Sequence, residues 1–212
     1  MMSLTNILTI DSLQYGEPTP KHIEKMSKGW GKLDRFDIEQ FKSYPPPKNN
    51  SVTVSNELDF IQNINRDEDF IVRADDVDNY FREYIESLGY EYPEKYVKKL
   101  LDSSKPIILI LKYYYNRPRP SDISERIGKH LDNFYLKTMG TPSYPSGHST
   151  QGVLVSLALS DMFPKHKKEL RKLGKEISYS RLMSKAHYPS DSYFGEQLGL
   201  ALYRQLEKNN GR

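Results

Sequence analysis

Three short blocks of this 212-residue chain hold the residue types that act on anions and protons. The first runs from Lys112 through Arg117 and Pro118 to Arg119 and Pro120. The second is Pro145, Ser146, Gly147 and His148, and the third is Ser180 and Arg181 followed by His187 and Asp191. They supply the cations Lys112, Arg119 and Arg181, two imidazoles, one carboxylate and a Ser-Gly turn. That is an inventory for binding a phosphate-like oxyanion and moving protons around it. Lys112 and Arg119 are seven positions apart, the spacing of one helix face, and Pro118 and Pro120 fix how the arginine leaves that helix. Ser146 and Gly147 precede an apolar helix, so their amides sit where the helix dipole favours an anion, and Gly147 has no Cβ to hinder close approach. His187 stands four residues before Asp191. A carboxylate there accepts one imidazole proton and decides which ring nitrogen faces a substrate, half the logic of an activated nucleophile.

The elements that must position these blocks read as helices. Ser55 is a candidate N-cap for a helix over 57–64, and Asp75 or Asp76 starts one whose Val77, Tyr80, Phe81, Tyr84, Ile85 and Leu88 share a face, ended by Gly89. Pro93 fits the first turn of the next, and Pro106 opens a further helix running through Lys112. Residues 121–144 are loop-like with a helical tendency near 124–131, and helices over about 148–163, 164–186 and 191–208 follow. Residues 1–18 read as a loose arm, and 19–43 as an irregular helical pattern broken by Gly29 and Gly31. On composition alone, Tyr44 to Pro47 reads as a linker. The basic run from Lys165 to Lys175 reads as a solvated face. Phe194, Leu198, Leu202 and Leu206 read as core, and Gly195 and Gly199 point to close helix packing inside the bundle or across a homodimer.

Composition narrows the function classes. Lys plus Arg number 31 and Asp plus Glu 28, a net charge of +3, which speaks against nucleic acid or an anionic membrane as the main partner. With no cysteine there is no disulfide, thiolate metal site or cysteine nucleophile. No apolar stretch approaches the ~20 residues of a membrane span. The first twenty residues lack the basic and apolar regions of a secretory signal, so a cytoplasmic or otherwise soluble intracellular location is expected.

Each block alone has an ordinary structural reading, but the combination KxxxxxxRP, PSGH and SRxxxxxHxxxD is present in full. Its eleven fixed positions, at about one in twenty each, leave a negligible chance match. The pattern resembles the type-2 phosphatidic acid phosphatase (PAP2) superfamily, which includes lipid phosphate phosphatases, acid phosphatases and vanadium-dependent haloperoxidases. Arg117 and the run from Ser143 to His148 look most like the soluble bacterial class A non-specific acid phosphatases, and Tyr44 to Pro47 resembles a proline-rich segment ahead of their helical core.

The resemblance implies an all-α, single-domain helical bundle of the PAP2, acid phosphatase and vanadium haloperoxidase type. Residues 1–43 would be an N-terminal arm and helical segment, and 44–208 the helical phosphatase domain. It implies a metal-independent phosphatase that hydrolyses small phosphate monoesters through a phosphohistidine. His187 would be the nucleophile, Asp191 would hold its tautomer, and His148 would protonate the leaving group. Lys112, Arg119, Arg181, Ser146 and Gly147 would bind the phosphoryl oxygens, with Arg117 an accessory for phosphate or loop contacts. No metal or cofactor is expected, although vanadate or phosphate fits the same site. The alternatives are a vanadium haloperoxidase with His187 as the ligand, a phosphotransferase, or a non-catalytic protein that retains the site.

Overall fold

The computed structural model describes residues 10–211, and among them there is no strand. The helices are α1 (Pro20–Met26), α2 (Val52–Gln62), α3 (Glu68–Asp75), α4 (Val77–Ser87), α5 (Glu94–Tyr115), α6 (Pro120–Arg126), α7 (Gly147–Met162), α8 (Lys167–Met183) and α9 (Pro189–Asn209). The all-α bundle expected from the sequence is what forms.

Helix α7 is the spine. It is apolar nearly all round, with Leu154, Val155, Ala158 and Leu159 buried, as a helix enclosed by others must be. Helices α8 and α9 flank it at glycine distance. A Cβ on Gly174 of α8 would lie 2.7 Å from the Gly152 carbonyl, and one on Gly199 of α9 would lie 2.4 Å from the Thr150 carbonyl. Gly195 is as tight against Ser146. The glycines that suggested either a bundle or a dimer are therefore used within the bundle. On one side of α7, Leu154 and Ala158 pack with Ile107 and Leu111 of α5 and Leu198 and Leu202 of α9. On another side, Val155 and Leu159 meet Phe81 and Ile85 of α4 and Leu170 and Ile177 of α8.

Several elements differ from expectation for identifiable reasons. Pro106 does not open a helix but lies inside the 22-residue α5. The lost backbone bond there is outweighed by one continuous buried face, including Leu100, Ile107, Ile108 and Leu111 on both sides of it. Lys112 and Arg119 do not share a helix, because α5 stops at Asn116 in the left-handed region (φ 49°), and Arg119 N-caps α6. The 120–126 helix begins at Pro120, earlier than the 124–131 tendency. Helix α3 was not expected, and Ser51 rather than Ser55 caps α2. Of the arm expected to be loose, residues 1–9 lie outside the described residues, while 10–15 are docked. Ile10 is buried among Val54, Leu58 and Ile61, and Asn49 Nδ2 donates to the Ile10 and Leu13 carbonyls. The proline-rich segment is held against the bundle, where the Tyr144 hydroxyl donates to the Tyr44 carbonyl (2.8 Å). Leu33, Phe36, Ile38 and Phe41 share one apolar cluster with Leu100 and Leu202.

Candidate active site

Two helix starts with the same local grammar bring the third block to the first. Arg119-Pro120-Ser121-Asp122 and Tyr188-Pro189-Ser190-Asp191 both place proline at the first helical position and aspartate at the third. In each the aspartate accepts from the backbone N–H of the capping residue, Arg119 N to Asp122 Oδ2 (2.9 Å) and Tyr188 N to Asp191 Oδ2 (3.0 Å). Asp191 is thereby fixed by its own helix before it touches any other side chain.

The buried Asp191 then gathers three donors. His187 Nδ1 donates to Oδ2 (3.2 Å), the Ser143 hydroxyl donates to the same oxygen, and Arg117 Nη1 donates to Oδ1 (2.5 Å). Burial works against its charge, but the Arg117 guanidinium and the bonds from His187 and Ser143 outweigh it, holding the carboxyl well below the usual carboxylate range. Arg117 is also the partner of Glu57 (3.4 Å) and Ser190 (2.8 Å), and its guanidinium lies 3.9 Å from the centre of the Tyr188 ring. These contacts place Arg117 behind Asp191, so of the two expectations for it, phosphate or loop contacts, its side chain in this structure meets Asp191, Glu57 and Ser190. Glu57, which also accepts from the Ser190 amide (2.6 Å), was not singled out in the sequence.

The other nitrogen of His187 is as well defined. Arg119 Nη1 approaches Nε2 at 3.1 Å, and a guanidinium has only hydrogens to offer. His187 Nε2 must therefore present its lone pair, with the proton on Nδ1 toward Asp191. Burial, reinforced by Arg119 and Lys112, pushes the His187 pKa well below its ordinary value, so the ring is neutral.

Lys112 and Arg119 are buried cations held only by neutral groups. Lys112 Nζ donates to the Pro142 carbonyl (2.5 Å) and reaches that of Ser143 (3.5 Å). Arg119 donates to the carbonyls of Thr141 (2.9 Å) and Ala186 (2.8 Å). Among the described residues no carboxylate lies within 4 Å of either. Burial and the neighbouring Arg181 push the Arg119 guanidinium down to about 10, and burial with Arg119 lowers Lys112 strongly. Two buried charges without counter-charges are costly unless an anion joins them.

His148 and Arg181 meet on Asp75, at the end of α3. His148 Nε2 donates toward the Asp75 carbonyl (3.0 Å) and carboxylate (3.1 Å), and Arg181 Nη1 donates to the same carboxylate (2.6 Å). Burial and Arg181 lower the His148 pKa, and Asp75 opposes them. Arg181 Nε is buried with no hydrogen-bond partner. Asp75 was visible in the sequence only as a helix-boundary residue, more than seventy positions from the motif it serves.

A pocket of about 180 Å³ is lined by Lys112, Arg119, Gly147, His148 and His187, with Lys25 and Lys105 at its edge. A Cβ on Gly147 would make ordinary contacts with Ile108 (3.5 Å) and Lys112 (3.9 Å), so the missing side chain keeps pocket space open rather than relieving a clash. Ser146 is placed differently from expectation. Its Oγ accepts from the Ser149 amide and hydroxyl as the α7 N-cap, and its amide donates to the Asp191 carbonyl (3.0 Å). Its amide is therefore engaged, leaving the Gly147 and His148 amides as the donors at the head of α7.

Comparison with known proteins bears on this arrangement. The family model described as the PAP2 superfamily matches residues 103–206, from the middle of α5 through most of α9. That segment belongs to the PAP2 superfamily. The non-specific acid phosphatase of Salmonella typhimurium is 35% identical over 97 residues, 45% of this chain and 38% of that protein. The corresponding Salmonella typhi protein is 34% identical over 97 residues, 45% and 38% of the two chains. The acid phosphatase of Zymomonas mobilis is 34% identical over 100 residues, 47% and 37%. The match spans less than two-fifths of each curated relative's length. The PAP2 segment holds every motif residue, whereas Asp75, Glu57 and Lys25 lie before it. No described helix is long and apolar enough to cross a membrane.

Proposed function

We propose that this site hydrolyses phosphate monoesters through a phosphohistidine at residue 187, with side-chain cations in place of a metal. The observation that carries the reading is His187, whose Nε2 lone pair faces a pocket with two cations that lack carboxylate partners, while Nδ1–H is held by Asp191. The curated relatives named acid phosphatases favour phosphatase activity.

In the first step Nε2 forms a bond to phosphorus as the P–O bond to the leaving alcohol breaks, and the positive charge on the ring is stabilised by Asp191. Lys112, Arg119, the free Nε of Arg181 and the Gly147 amide stabilise the phosphoryl oxygens as charge redistributes over them. His148 gives the departing alkoxide its proton. Since Nε2–H is bound to Asp75, that proton comes from the other ring nitrogen of an imidazolium. In the second step neutral His148 takes a proton from water, the resulting hydroxide oxygen bonds to phosphorus, and the N–P bond breaks. A hollow of about 620 Å³ shares His148 and Lys105 with the phosphate pocket, and the leaving alcohol departs on that side.

The scheme is tested by p-nitrophenyl phosphate hydrolysis in EDTA, with and without orthovanadate, beside His187→Ala. Turnover that survives EDTA, is blocked by vanadate and vanishes in the variant is expected. Loss of turnover in EDTA would overturn the metal-free scheme, and activity in His187→Ala would overturn the covalent one.

A further inference from the structure

The phosphate pocket has a basic edge that the three motifs do not account for. Helix α1 runs antiparallel along α5, so that His22 meets Tyr113 (Nδ1 to hydroxyl 2.6 Å) and Lys25, one turn on, comes beside Lys105. Both lysines line the mouth of the pocket that holds Lys112 and His187. Lys105 lies seven residues before Lys112 on α5, so it projects from the same face about 10 Å along the axis.

Lys25 is half-buried and, among the described residues, has no carboxylate within 4 Å. Burial, Lys21, Lys105 and Lys28 all press its pKa down, and only Glu24 opposes them. Lys105 has one partner, the exposed Asp102 (2.9 Å), a pairing of little worth in water. Acidic residues do line the adjoining hollow, but they are engaged. Asp75 is bound by Arg181, Asp78 by Tyr92 (2.8 Å) and Arg82, Glu94 by Arg82 (3.2 Å), and Asp76 caps α4. Asp102, the last acid of that hollow, is the one that Lys105 holds, so Lys25 is the lysine without a carboxylate partner, and Lys105 lines both the pocket and the hollow beside His148.

We propose that Lys25 and Lys105 form a second anion subsite, selecting phosphate esters whose leaving alcohol carries another phosphoryl or similarly charged group. The proposal rests on the hydrolase reading of the pocket and adds the substrate class. The subsite draws on α1, outside the PAP2 segment, so it is a specificity element of this chain rather than of the motifs.

The test compares hexane-1,6-diol bisphosphate with hexyl phosphate as substrates of the full chain. Two equivalent ends give the bisphosphate a twofold advantage by statistics. The expected ratio of kcat/KM is about tenfold beyond that at low salt, declining as NaCl screens the lysines. In Lys25→Ala combined with Lys105→Ala the ratio falls to near two. In Lys168→Ala with Lys175→Ala, which removes two exposed charges from the distant face of α8, the ratio is retained. A wild-type ratio near two overturns the subsite. So does an equal loss on both substrates in the Lys25/Lys105 variant, which would make these lysines ligands of the transferred phosphoryl. Calorimetric titration with hexane-1,6-diyl bisphosphonate and hexylphosphonate reads the subsite without turnover. A bisphosphonate preference lost in the variant supports the subsite even if neither ester is hydrolysed, the outcome that would sink the hydrolase reading alone. A bisphosphonate preference no greater than the statistical twofold overturns the subsite.

Discussion

Replacing Asp191 with asparagine changes one atom of the site and has two separable consequences. Oδ2 of the native residue accepts from Ser143, from His187 Nδ1 (3.2 Å) and from the Tyr188 amide (3.0 Å), while Oδ1 accepts from Arg117 (2.5 Å). An amide offers one oxygen and one NH2 group. If the oxygen stays on the His187 side, the NH2 meets the Arg117 guanidinium, donor against donor. If the oxygen turns to Arg117, the NH2 faces His187 Nδ1, which must then give up its proton. The ring proton moves to Nε2, where it meets Arg119 Nη1 (3.1 Å) and removes the lone pair that would attack phosphorus. The first arrangement keeps the tautomer but loses the charge that stabilises the imidazolium, and the second loses the nucleophile. A wrong-tautomer substitution of this type lowers kcat by about 10⁴ in serine proteases, so a fall of about 10³–10⁴ is expected here. Leaving a buried cation without its carboxylate costs about 3 kcal/mol or more, although Glu57 (3.4 Å) still faces Arg117. At about 2–4 °C per kcal/mol in a chain of this size, Tm falls by roughly 6–12 °C. The assay is p-nitrophenyl phosphate turnover well below the variant's Tm, with circular dichroism to show a native helix signal and ¹⁵N spectra of the histidines to read the tautomer. A folded variant with near-wild-type kcat would refute the tautomer argument.

Five other outcomes follow from the same geometry. The nucleophile must be neutral and the acid protonated, and both histidine pKa values are lowered, His187 more strongly, so kcat/KM should peak below pH 6.5 and fall as pH rises through the His148 pKa. Asp75→Asn removes the group that raises the His148 pKa and should move that alkaline limb to lower pH; an unmoved limb would mean that another group sets it. Because the folded histidines resist protonation while an unfolded chain takes up protons below about pH 6.5, stability of the ligand-free protein should decline as pH falls through that value. Saturating orthovanadate should raise Tm, by the equivalent of about 2.7 kcal/mol at a hundred times Kd, and denaturation melts across pH check both statements. Gly199→Ala would place a Cβ 2.4 Å from the Thr150 carbonyl, forcing α9 away from α7 at a cost of about 1–3 kcal/mol or more, and a thermal melt matching wild type would contradict that packing.

What was legible in the sequence divides along physical lines. The motif residues could be read because their chemistry is local. His187 and Asp191 are four positions apart, and the proline and aspartate at each helix start fix their own backbone. Helix α7 could be read from its largely apolar run, and the core face of α9 because Phe194, Leu198, Leu202 and Leu206 repeat at helical spacing. The residues behind the motif were not legible. Glu57 reaches Arg117 across sixty positions and Asp75 reaches Arg181 across 106, and an isolated acid on a short helix carries no periodic signal. Pro106 misled because its local rule is to stop a helix, whereas tertiary burial on both sides of it carries α5 through. Arg117 shows the limit of reading type alone, since an arginine two residues from the pocket-lining Arg119 turns instead to Asp191, the carboxylate that holds His187.

The central claim is that His187 becomes covalently phosphorylated, and trapping that species is its most direct test. The protein is mixed with a ³²P-labelled monoester, quenched within milliseconds into alkali, where phosphohistidine survives, and the labelled peptide is sequenced by mass spectrometry. Label is expected on His187, lost on acid treatment, appearing within one turnover and absent in His187→Ala. Rapid turnover with no label above the level of that variant, or label on any other residue, would contradict that claim.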